Sequence, residues 1–97
     1  MKIGLIGLGR IGQVHLKSLS TIEDVDIVCV SDIDQTVCQK IIKKFNIPKY
    51  TLTYEDLVSD PQVEAVWVCS PSNLHFIHVT ACLKNNKLVF CEKPLEI

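Results

Sequence analysis

The stretch Met1-Lys-Ile-Gly-Leu-Ile-Gly-Leu-Gly-Arg-Ile-Gly12 decides how the chain folds. Ile3, Leu5 and Ile6 make a short apolar run of the kind buried on both faces of a parallel sheet. It leads directly into Gly7-x-Gly9-x-x-Gly12, and Gln13 to Leu19 follows with helical spacing. A strand–turn–helix of this kind uses each glycine differently. Gly7 permits the tight turn, Gly9 lets a pyrophosphate approach the backbone, and Gly12 lets helix and strand pack closely. The N–H groups and positive dipole end of the new helix then face the phosphates. GxGxxG alone is weak evidence, but the pattern also calls for an acid about 20 residues further on. Asp32 stands there, closing the run Val25-Asp-Ile-Val-Cys-Val-Ser31. Strand, glycines, helix and acid in register predict a dinucleotide site.

The rest of the chain continues the alternation. The second strand is expected at Val25 to Val30, with Asp34 as N-cap of a helix whose Val37, Cys38, Ile41, Ile42 and Phe45 share one face. Lys40, Lys43 and Lys44 then turn to water, Asn46 suits a left-handed C-terminal cap and Pro48 prevents continuation. Lys49 to Thr51 reads as a short third strand. Thr53-Tyr-Glu-Asp56 has capping-box spacing and opens a short helix to about Val58, ended by Asp60-Pro61. Glu64 to Cys69 is the fourth strand, and Trp67 in it is read as a packing residue. Ser72 or Asn73 is expected to cap a helix running to about Asn85, with Phe76, Ile77, Thr80, Ala81 and Leu83 on its inner face. Lys87 to Cys91 is the fifth strand. Five strands alternating with four helices predict an α/β, doubly wound, mostly parallel sheet of Rossmann type. Residues 1–97 are expected to be one dinucleotide-binding domain.

Composition narrows the function classes. Ninety-seven residues suit one domain, 47 % hydrophobic content supplies a core, and a net charge of −1 gives no electrostatic case for nucleic acid or a membrane surface. No apolar stretch approaches the roughly 18 residues that span a bilayer. Met1-Lys2 leads straight into a strand, with no signal or transit pattern, so a cytoplasmic location is expected. The five cysteines form no CxxC and no metal-ligand pair, so no metal is expected. Cys29, Cys69 and Cys91 fall in apolar runs and read as small buried hydrophobes of a reduced protein.

In a sheet of this type ligands bind beyond the carboxyl ends of the strands. Four clusters reach that edge: Gly7 to Gly12, Ser31-Asp32, Ser70-Pro-Ser-Asn-Leu-His75, and Glu92-Lys93-Pro94. Together GLIGLGRIG, VWVCSPSNLH and LVFCEKPL resemble the N-terminal dinucleotide-binding domain of the Gfo/Idh/MocA oxidoreductases, over essentially the whole chain. EKP at that position is more specific than the glycines, and MKIGLIGLGRIGQVH with VSD most resembles the inositol 2-dehydrogenases.

The resemblance implies roles residue by residue. Gly7, Gly9, Arg10, Ile11 and Gly12 would surround the pyrophosphate of NAD, and Asp32 would take the adenosine ribose hydroxyls. Ser70, Pro71, Asn73 and His75 match a Thr/Ser-Pro-x-x-x-His segment beside the nicotinamide half. Glu92 would face the nicotinamide ribose, and Lys93 would hydrogen-bond the substrate oxygen at the carbon exchanging hydride. Alcohol oxidation needs the hydroxyl proton removed as hydride leaves, and desolvation beside a cationic ring favours the neutral amine that can share in that transfer. The implied activity is hydride transfer between NAD and a polyol or sugar CH–OH group, in a homo-oligomeric enzyme. His15 is read as a packing or hydrogen-bonding residue and His78 as a surface one.

Two departures stand out. Asn85-Asn86 replaces the glycine common before the last strand, which asparagine tolerates in a left-handed conformation. The family's substrate domain, which supplies the rest of the proton relay, is absent from this chain. The alternative expectation is therefore a stand-alone, truncated nucleotide-binding module that takes cofactor without turnover.

Overall fold

Four helices sandwich the strands β1 (Lys2–Ile6), β2 (Asp26–Ser31), β3 (Tyr50–Thr51), β4 (Ala65–Val68) and β5 (Leu88–Cys91) in the computed structural model, which describes residues 1–91. The sheet order is β3-β2-β1-β4-β5, and every pairing is parallel. The glycine-bearing strand is thus central, and the order reverses across it, between β2 and β4. Its both-sided burial is what the apolar run required: Ile3, Leu5 and Ile6 are all buried.

Helices α1 (Arg10–Leu19) and α2 (Gln35–Phe45) cover one face. There Leu16, Leu19, Cys38 and Ile41 pack on Ile3, Leu5, Val30 and Ala65. Helices α3 (Tyr54–Val58) and α4 (Ser72–Lys84) cover the other, where Leu57, Val58 and Cys82 pack on Ile6, Val28, Val66 and Val68. Full burial of each such aliphatic side chain contributes about 1.5–3 kcal/mol. Gly4 belongs to this packing: a Cβ there would lie 2.9 Å from Leu57 Cδ2, so its absence lets α3 seat directly on β1.

Alternation along β2 is interrupted. Ile3 pairs with Ile27 and Gly4 with Cys29, so Val28 is the extra residue of a bulge. Ile27 and Val30 consequently join the α1/α2 face while Val28 and Cys29 join the other. An unbroken period of two does not reveal such a switch.

The predicted caps of α2 and α3 are present in the structure. Asp34 Oδ1 accepts the Val37 N–H at 3.2 Å, and Thr53 Oγ1 accepts the Asp56 N–H at 3.3 Å; such N-caps contribute about 1 kcal/mol each. Asn46 ends α2 at φ 56° and ψ 47°, and Asn86 adopts φ 60° before β5. Trp67 stacks on Phe90 with ring centroids 4.4 Å apart, in line with its packing role.

Three expectations need correction. The N-cap position of α4 is Pro71, with no side-chain cap from Ser72 or Asn73. The inner face of α4 consists of His78 and Cys82, flanked by Val79 and Ala81, whereas Phe76, Ile77 and Leu83 are exposed. This helix is apolar nearly all round, so composition does not choose a face. Its packing against the sheet chooses the stripe of His78 and Cys82. Cys91 is exposed and Cys69 half-buried, while Cys29, Cys38 and Cys82 are buried. Among the described residues β5 pairs only with β4, which leaves its end open. Burial pushes the Cys29 and Cys82 thiols up to about 11, so both stay protonated at neutral pH.

Candidate functional site

The carboxyl ends of the three middle strands meet at one place. The Gly7 N–H donates to Ser31 O at 2.9 Å, and the Cys69 N–H donates to Ile6 O at 2.8 Å, which carries the ladder one step past β1 on both sides. Gly7 then turns the chain at φ +99°, a conformation that L side chains avoid. A Cβ on it would also strike Cys69 C at 2.8 Å and Ser70 N at 2.9 Å. Gly12 is still more constrained, because its Cβ would fall 1.8 Å from Gly7 O. Gly9 differs from both: a Cβ there would meet nothing within 4 Å. Space is kept open at the one glycine to which a diphosphate must come close.

Gly9 is also the N-cap position of α1, which has neither a side-chain cap nor an acidic residue in its first turn. Arg10 and Ile11 begin that helix and are exposed, and Gly12 is buried against the loop. The N–H groups of this first turn and the dipole they end are suited to an anion. Gln13 Nε2 donates to Leu8 O at 2.8 Å and steadies the loop from the helix side.

Asp32 braces the loop from β2. Its Oδ2 accepts the Leu8 N–H at 2.7 Å and its Oδ1 accepts the Asp34 N–H at 3.0 Å. A carboxylate has about four acceptor positions, so two remain for ligand hydroxyls. The loop and the acid thus form one hydrogen-bonded unit, joined across 24 residues of sequence.

A cleft of about 290 Å³ opens beside this unit. Gly7, Asp32 and Ser70 line it together with the apolar side chains of Ile33, Leu52 and Leu74. Ser70 is buried at the end of β4, and its Oγ lies 2.7 Å from Nδ1 of His78. His78 is therefore not the surface residue that its polarity suggested: it is 6 % exposed, and its ring lies 4.6 Å from that of Tyr54. A polar ring with a hydrogen-bond partner can be buried at little cost. Desolvation first, and then the nearby charge of His75, holds its pKa below the ordinary histidine value. Pro71, Asn73 and His75 stand at the start of α4, outside the residues lining this cleft. His15 is half-buried on α1. Glu92 and Lys93 lie outside the described residues.

Sequence reasoning missed Ile33, Leu52, Tyr54 and His78. Ile33 alone carried a signal, an apolar residue directly after the acid, and it is 91 % exposed. Leu52 comes from the turn between β3 and α3, and Tyr54 and His78 are brought in by α3 and α4; none belongs to a ligand-binding motif.

Among the described residues no helix is long and apolar enough to cross a membrane, and no cluster of three or more metal-ligating side chains occurs.

Residues 1–97 match the oxidoreductase family with an NAD-binding Rossmann fold. Myo-inositol 2-dehydrogenase of Thermotoga maritima is 42 % identical over 97 residues, which are the whole of this chain and 29 % of that protein. The crystal structure of a probable dehydrogenase from Thermotoga maritima superposes with a TM-score of 0.93 at 41 % identity, covering 97 % of this chain and 28 % of its own. Scyllo-inositol dehydrogenase from Lactobacillus casei, solved with bound NAD(H) and scyllo-inositol, superposes with a TM-score of 0.90 at 28 % identity, covering 96 % of this chain and 28 % of its own. The chain thus spans under a third of the length of these relatives.

Proposed function

The chain belongs to the Gfo/Idh/MocA oxidoreductase family as its NAD-binding Rossmann domain, and from that premise we propose that it serves hydride transfer between NAD and a CH–OH group of a polyol, inositol being the favoured class. The observation that carries the cofactor half is the loop unit itself. Gly7 and Gly12 are forced by packing, Gly9 is left open, and the Asp32 carboxylate is held against the loop at 2.7 Å. The substrate class rests on the relatives, which are named as inositol dehydrogenases.

In this reading Gly9, Arg10, Ile11 and the first turn of α1 hold the pyrophosphate, and Asp32 takes the adenosine ribose hydroxyls with its two remaining acceptor positions. Ile33, Leu52 and Leu74 offer apolar walls of the kind a purine ring needs. Pro71, Asn73 and His75 would serve the nicotinamide side, where the cofactor supplies the hydride acceptor, while Ser70 lines the same cleft as Asp32 and Ile33. Glu92 would face the nicotinamide ribose. Lys93 would hold the substrate hydroxyl and take part in removing its proton, a general acid–base contribution of about 10²–10⁴-fold. Nothing basic follows Asp32 closely in sequence, and a carboxylate repels a 2′-phosphate, so NAD is favoured over NADP.

Calorimetric titration of the chain with NAD and NADP tests the cofactor reading. NAD should bind more tightly, and equal or tighter NADP binding would mean that Asp32 does not face the ribose. Steady-state kinetics with myo-inositol and related polyols, with and without Lys93→Ala, test the catalytic reading in a protein that turns over. Near-normal turnover of Lys93→Ala would remove Lys93 from the mechanism.

One observation favours a second reading. These residues cover only 28–29 % of their relatives, so the chain by itself would bind cofactor as a module and show no polyol-dependent NADH formation.

A further inference from the structure

Three buried polar side chains line the otherwise apolar cleft, and one of them, His78, belongs to no motif. Ser31, Ser70 and His78 are the buried polar side chains among the described residues. Ser70 Oγ and His78 Nδ1 satisfy each other at 2.7 Å. Ser70 comes from the end of β4, His78 from the second turn of α4, and Tyr54 of α3 closes the imidazole from the other side. Both members of the pair line the cleft that also holds Gly7 and Asp32. A serine hydroxyl ordinarily samples three staggered χ1 wells. A buried partner at 2.7 Å holds it in one of them.

We infer that His78 is a positioning residue, which holds the Ser70 hydroxyl in a single orientation at the floor of the cleft so that it meets the dinucleotide without first being ordered. The inference deepens the cofactor reading above and rests on it, because it requires NAD in this cleft. Fixing a binding group in advance removes an ordering cost that would otherwise be subtracted from affinity. Tyr54 supports the ring by packing, while Glu55 and His75 are the charged or titratable groups acting on it from α3 and α4. In this role the imidazole acts through Ser70.

NAD titration of the chain by calorimetry tests this with Ser70→Ala, His78→Leu, His78→Asn and the double variant Ser70→Ala/His78→Leu, each checked for folding by circular dichroism. Asparagine can put an amide atom where Nδ1 stands, whereas leucine keeps the bulk and removes the bond. Ser70→Ala and His78→Leu should each weaken NAD binding by about three- to tenfold, the net worth of one hydrogen bond. The double variant should bind no more weakly than Ser70→Ala alone, and His78→Asn should stay within about twofold of the parent chain. A His78→Leu loss that persists undiminished in the Ser70→Ala background would overturn the inference, because the residue would then act by packing alone. If His78→Leu does not fold, His78→Asn decides: binding like the parent supports the role, and binding as weak as Ser70→Ala overturns it. Absence of NAD binding by the folded parent chain would instead overturn the cofactor reading, and this inference with it.

Discussion

The two flanks of the central strand are built to different standards. On the β2 side, Val28 to Ser31 are buried, and α2 is stopped by Asp34 at one end and by left-handed Asn46 at the other. On the β4 side burial holds through Val68, then fails: in β5 only Val89 is half-buried, and α4 turns Phe76 and Leu83 to solvent. The difference teaches which part of the sheet has to be rigid. The glycine loop is hydrogen-bonded to the well-covered flank through Ser31 O and Asp32 Oδ2. The other flank contributes a buried pair, Ser70 and His78, and otherwise an apolar surface for which the described residues provide no cover.

The largest effect is expected where the well-packed region has no slack. Gly12→Ala would set a methyl group 1.8 Å from Gly7 O. It should destabilise the chain by about 3–5 kcal/mol, as misfits at fixed backbone do, and urea denaturation measures it. Gly9→Ala is the matched control: the methyl meets nothing, so stability should change by less than about 1 kcal/mol while NAD binding is lost. If Gly9→Ala binds NAD normally, the open space at Gly9 has no part in recognition.

Next comes the core. Leu5→Ala, in a fully buried site of β1, should cost about 2–5 kcal/mol, whereas Phe76→Ala, at 81 % exposure on α4, should stay within about 0.5 kcal/mol. Comparable losses would mean that the outer face of α4 is packed as closely as the central strand. Asp32→Ala removes the brace on Leu8 and the expected ribose acceptor together. Its NAD affinity should fall by about tenfold or more, with the NAD preference over NADP diminished. Titrating the variant with both nucleotides checks both effects.

The smallest effect is a pH dependence. The folded-state pKa of His78 lies below the ordinary histidine value of 6.5. Below pH 6.5 the unfolded chain therefore binds more protons than the folded one. The contribution of His78 is fully present above pH 6.5 and is lost as pH falls through the folded pKa. Unfolding free energies measured across that range should decline in the parent chain, and more shallowly in His78→Asn. An equal decline in both would assign the effect to other groups.

Much of this was legible in the chain. Ile3, Leu5 and Ile6 followed by GxGxxG required a buried strand, a turn and a helix, and Asp32 at the end of a second apolar run required a parallel neighbour. Asp34, Asn46, Thr53 and Asn86 act over three or four residues, where local geometry suffices, and all sit as their types demand. The face of α4 was not legible, because a helix apolar on every side is oriented only by what it meets. For the same reason a histidine that reads as surface can be buried once a serine eight residues earlier is brought to 2.7 Å from it.

The sequence by itself determined the alternation of strands and helices, the caps of α2 and α3 and the glycine–acid pair that marks a dinucleotide site, since each is encoded in short-range periodicity or backbone freedom. Only the tertiary structure decided the bulge at Val28, the close seating of α3 on Gly4, the Leu8–Asp32 bond and the Ser70–His78 pair. Each depends on which atoms the sheet brings together from residues far apart in the chain or on different elements, and no local pattern carries that information.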